Sequence, residues 1–96
     1  MESFHNEYTD KLMEAISKLN TKEECYNFFE DVCTIREILD MSKRLEAAKL
    51  LSEGFNYNDI VNKIGLSTAT LSRVSRALNY GSGGYKKALK INKKEL

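Results

Sequence analysis

The segment VNKIGLSTATLSRVSRAL, residues 61–78, sets small and hydroxylic side chains where a helix is expected, and two arginines follow three residues apart. Ser67, Thr68, Ala69 and Ser72 would leave that helix slim, while Arg73 and Arg76 would charge it. Serine and threonine hydroxyls bond phosphate oxygens or base edges. Alanine and threonine methyls can touch a thymine methyl, and an arginine can pair with guanine through two hydrogen bonds. The chemistry on offer is insertion into a DNA major groove, with Lys63, Lys86, Lys87 and Lys90 available as flanking phosphate partners.

A reading helix works only if other elements hold it. The stretch Tyr57 to Arg76 fills the slots of a helix-turn-helix, expected over residues 56–79. Ile60, Val61 and Ile64 supply the inward face of the first helix, although Val61 is larger than the residue, usually alanine, that lets the helices approach. Gly65 can adopt the left-handed conformation of the turn, and Leu66 plugs the corner. Leu71, Val74 and Leu78 turned inward leave Thr68, Ala69, Ser72, Arg73 and Arg76 outward.

The remaining chain reads as further helices. Tyr8, Leu12, Ile16 and Leu19 form an amphipathic stripe over residues 5–19. Thr21 with Glu24, and Thr34 with Glu37, are two capping boxes, opening a helix to about Val32 and a two-turn helix ending near Asp40. Asp40 or Ser42 could cap the next helix, striped by Leu45, Ala48 and Leu51 and stopped by Gly54. Asn56 and Ser67 cap the two helices of the motif, NYGSGG is a loop, and residues 84–96 form a last helix with Tyr85, Leu89 and Leu96 inward. The expected fold is all-α, with six or seven helices in a single domain over 1–96.

At 96 residues, with 42% apolar and 30% charged residues, the chain is globular but marginal on its own. The stripes before Thr34 exceed the needs of a small core, so residues 1–33 are expected to dimerise. Net charge is only +1, and a DNA partner therefore requires a local patch. That patch exists: from Ile60 to Leu96 the basic residues are Lys63, Arg73, Arg76, Lys86, Lys87, Lys90, Lys93 and Lys94, against the one acid Glu95.

Other chemistries lack their residues. One histidine, His5, excludes a multi-histidine metal site and offers no triad, so no metal, cofactor or enzymatic activity is expected. EGFNYND lacks calcium-loop spacing, and GSGG lacks the strand and lysine of a phosphate loop. Glu30 and Asp31 adjoin and point to different helix faces. No apolar run approaches membrane-spanning length, and MESFHNEYTD lacks a signal-peptide layout. Cys25 and Cys33, eight residues apart on one expected helix, would be separated by about 12 Å of rise and are expected as reduced, mostly buried thiols of a cytoplasmic protein.

STATLSRVSRALNYGSGGY, with CTIRE and KRLEAAKLLSEG before it, resembles the Trp repressor superfamily, and within it the YerC/YecD group of Trp repressor-related proteins. The resemblance covers roughly Asp31 to Leu89. It implies an intertwined, all-helical homodimer that presents two recognition helices to successive major grooves of double-stranded DNA. It also implies an effector pocket, because the two arginines that sandwich an indole in that family match Arg44 and Arg73. This chain departs from the family there: Val74 replaces the pocket glycine and Ala77 a serine. A branched side chain in that pocket costs about 1–3 kcal/mol, so tryptophan is expected to bind weakly or not at all. The expected function is a sequence-specific transcriptional regulator, a repressor in the first instance. An effector-free promoter- or nucleoid-associated protein and a helical protein-interaction module are the alternatives, since helix-turn-helix geometry also occurs as plain packing.

Overall fold

In the computed structural model, which describes residues 4–91, six helices run in the order α1 (Glu7–Ser17), α2 (Lys22–Val32), α3 (Ile35–Ser52), α4 (Tyr57–Ile64), α5 (Thr68–Tyr80) and α6 (Gly84–Leu89), with no strand among the described residues. These residues divide into two compact units whose boundary falls between Ile38 and Leu39, inside α3.

In the first unit, side chains start every helix. Asn6 Oδ1 accepts from the amides of Tyr8 and Thr9 at 2.8 and 2.9 Å, and Thr9 Oγ1 accepts from Asn6 N in return. Thr21 Oγ1 accepts from Glu24 N at 3.1 Å. The Glu24 carboxylate, however, takes the Asn20 amide at 2.7 Å, one residue before the expected partner. Thr34 and Glu37 form the reciprocal box in full, at 2.9 and 3.1 Å. Each cap answers amides that the first helical turn leaves without carbonyls. Cys33 lies beyond α2 in extended backbone, and both cysteines are free and half-buried rather than buried. His5 is exposed, with its ring edge-on to Phe4 at 4.6 Å between centroids.

Two of the expected helices are one. α3 runs without a break through Asp40 and Ser42, because nothing between Ile35 and Ser52 removes an amide or relaxes the backbone as Pro or Gly would. Ser42 Oγ donates back to the Leu39 carbonyl at 2.7 Å instead of capping. The inward stripe differs as well: Ala47, Ala48 and Leu50 are buried, Leu51 packs beside them, and Leu45 is exposed. Gly54 ends α3 at φ 93°, where its amide reaches Leu51 O and the Phe55 amide reaches Leu50 O, both at 3.1 Å.

The core of the second unit consists of Ala47, Ala48, Leu50, Ile60, Leu71 and Val74, with Val61, Ile64, Leu66, Tyr85 and Leu89 packed against it. The two alanines of α3 let α4 and α5 pack closely, and Ile60 and Leu71 are the large side chains fully enclosed. The expected loop NYGSGG begins later than its composition suggests, since Asn79 and Tyr80 complete α5 and only Gly81–Gly83 connect to α6. The last helix is correspondingly short. Lys90 turns left-handed after Leu89, and Leu96 lies outside the described residues. No helix among the described residues is long and apolar enough to cross a membrane.

Candidate nucleic-acid interface

Ser67 fixes where α5 begins. Its Oγ accepts from the Thr70 amide at 3.1 Å while its hydroxyl donates to Thr70 Oγ1 at 3.0 Å. Ser67 is thereby engaged in the cap, and its side chain stays exposed. Ahead of it, Gly65 at φ 84° closes α4 with its amide on Val61 O at 2.9 Å. A side chain there would strain this left-handed backbone.

The two faces of α5 separate as the spacing predicts. Leu71, Val74 and Leu78 are buried; Thr68, Ala69, Ser72, Arg73 and Arg76 are exposed. The Thr68 and Ala69 amides lie in the first turn, where a helix carries its partial positive charge. Asn56 Oδ1 caps α4 through the Asp59 amide at 2.9 Å. Lys63, in the last turn of α4, holds its ammonium 5.7 Å from the Phe55 ring centre. Phe55 carries no signal for this role in the sequence, because an aromatic residue after a helix stop is usually packing.

Arg44, Arg73, Val74 and Ala77 come together around an open pocket of about 380 Å³, joined by Thr70 and Tyr85, to which no local spacing points. Val74 is 2% exposed, so its side chain belongs to the core beneath that pocket. No acidic residue lines it. Lys63, Arg73, Arg76, Lys86, Lys87 and Lys90 form no ion pair with any described residue, which leaves this unit with uncompensated positive charge. Among the described residues there is also no grouping of His, Cys, Asp or Glu that could hold a metal ion.

Residues 7–93 match the family model described as Trp repressor protein. The chain belongs to the Trp repressor family. The YerC protein of Bacillus subtilis, itself uncharacterized, is 51% identical over 80 residues, covering 83% of this chain and 77% of that one. A Trp operon repressor homolog of Chlamydia caviae is 35% identical over 95 residues, covering 97% and 93%. Among solved structures, a candidate Trp repressor from Staphylococcus aureus superposes with a TM-score of 0.82 at 41% identity, covering 92% of this chain and 91% of that one. A TrpR-like protein from Eubacterium eligens gives 0.84 at 50% identity, with 88% of each chain covered. The all-helical fold of the described residues is thus that of Trp repressor-like proteins, a family of DNA-binding regulators.

Proposed function

We propose that the protein is a sequence-specific DNA-binding repressor of transcription, a cytoplasmic homodimer that occupies a roughly palindromic operator through α4 and α5. The observation that carries this reading is the division of α5. Its apolar side is buried on α4, and its opposite side offers Thr68, Ala69, Ser72, Arg73 and Arg76, with neither arginine ion-paired to a described residue. Lys63, Lys86 and Lys87 are the proposed phosphate partners beside it. Dimerisation is supported by the first unit, where none of the described residues up to Ile38 is buried and Phe4, Tyr8, Met13, Tyr26, Val32 and Ile35 are exposed. Residues 1–33 supply the dimer helices in this reading, and two protomers would place their α5 helices about 34 Å apart, one turn of duplex.

Selection of bound duplexes from a random pool tests the proposal. It is expected to return two half-sites related by a two-fold axis, whereas recovery of unenriched sequence would refute sequence-specific reading. On the selected duplex, Arg76→Ala is expected to weaken binding by about 1–3 kcal/mol and to relax the preference at one base pair in each half-site. Fluorescence anisotropy on the selected and single-substituted duplexes measures both.

A second reading concerns regulation. The pocket of Arg44 and Arg73 beside α5 could take an effector, but Val74 already fills its floor as a core side chain. L-tryptophan is therefore expected to give no stoichiometric heat in calorimetric titration and no change in DNA affinity. Tight binding at one equivalent per protomer would show that Val74 yields its place.

A further inference from the structure

We infer that α6 carries a backbone-gripping groove, in which Lys86, Lys87 and Lys90 hold the sugar-phosphate strand flanking the segment read by α5 and supply most of the sequence-independent affinity. The inference rests on the proposed DNA binding and divides its labour between two helices.

The groove, about 510 Å³, is lined by Gly83, Lys86, Lys87, Lys90 and Ile91. Three ammonium groups therefore border one concavity, none of them ion-paired to a described residue, in a stretch from Ile60 to Ile91 that contains no acidic residue. Cations near a helix C-terminus gain from its dipole, but that gain falls to a cation singly and does not require three around a groove. Mutual repulsion opposes such a cluster until a polyanion relieves it.

Lys90 adds an independent observation. It sits at φ 57° and ψ 44°, the only non-glycine residue at positive φ among the described residues. The other left-handed positions, Gly54, Gly65 and Gly83, use glycine. The turn is held by the Lys90 amide on Lys87 O at 3.3 Å and the Ile91 amide on Lys86 O at 2.8 Å. A lysine kept where glycine is the relaxed choice brings a third cation to the groove at a cost in backbone strain.

The helix is also anchored. Tyr85 and Leu89 pack against the core that buries Leu71 and Val74 of α5, so the lysines keep a fixed relation to the reading helix. Lysine ammoniums are point charges without the directional fork of arginine, which suits contact with any sequence. With a net charge of only +1, the molecule has no general positive field to do this work.

The test measures DNA affinity between 50 and 200 mM salt for the full chain, on the selected duplex and on a random one. Lys86→Gln, Lys87→Gln and Lys90→Gln combined are expected to reduce the slope of log affinity against log salt by at least about 2, with on the order of a hundredfold loss at 0.1 M salt. The loss should be equal on both duplexes, leaving the specificity ratio intact. Lys90→Gly alone should raise the thermal midpoint while lowering the slope by about 0.9 for each phosphate no longer neutralised. That pairing is one a purely structural lysine would not produce. An unchanged slope in the triple variant overturns the inference. So does a groove that instead binds inorganic phosphate stoichiometrically in the wild type and loses only that in the variant. Absence of salt-sensitive binding in the wild type would be a different result, the failure of the DNA-binding proposal itself.

Discussion

Leu12→Asp combined with Ile16→Asp is expected to leave the chain unfolded at micromolar concentration rather than folded and monomeric. α1 and α2 contain no buried residue within one protomer, although their stripes are well formed and a side chain caps each N-terminus. Helices of 11 residues are marginal in water unless an apolar face is covered. In the proposed dimer that cover comes from the second copy, so folding and association are one equilibrium. Truncating a buried leucine or isoleucine costs about 2–5 kcal/mol, and burying a carboxylate in its place costs more. The two substitutions recur in both protomers, and the summed loss rivals the whole stability of about 5–15 kcal/mol typical of a domain. Circular dichroism with sedimentation equilibrium checks this. A helical, monomeric double variant, or a stable wild-type monomer at micromolar concentration, would contradict the dimer.

Leu71→Ala is the second large effect, expected to remove about 2–5 kcal/mol of stability and to abolish DNA binding near the new melting range. Leu71 is fully enclosed, and it is one of the few large side chains in a core that relies on two alanines for close approach. The cavity left behind cannot be filled by neighbours as small as Ala47 and Ala48. For a chain of this size each kilocalorie per mole shifts the melting temperature by roughly 4–8 °C. Ser72→Ala, on the exposed face one residue further on, should stay within about 0.5 kcal/mol of the wild type. Thermal denaturation of the pair separates the two faces of α5, and equal effects would show that the helix is not packed as described.

The helix-turn-helix was legible in the sequence because its signals are local. Asn56, Gly65 and Ser67 act within one turn of their own position, and the spacing of Ile60, Ile64, Leu71, Val74 and Leu78 defines an inward side by helical period alone. The outward set Thr68, Ala69, Ser72, Arg73 and Arg76 follows by subtraction. The same locality fixed the caps at Thr21 and Thr34.

Tertiary structure decided what depends on neighbours distant in sequence. Asp40 and Ser42 can cap, but a capping residue starts a helix only where the backbone has stopped, and nothing stops α3 before Gly54. Leu45 and Leu50 are equally apolar, and only the position of α4 and α5 determines that Leu50 is the one buried. Arg44 and Tyr85 lie 41 positions apart yet line one pocket, which no local period can foretell. The end of α6 is the clearest case. The pattern of YKKALKINKKEL continues as a helix, but the chain turns left-handed at Lys90, just past Tyr85 and Leu89, which pack against a core built from residues distant in sequence, and no residue preference at the turn announces it.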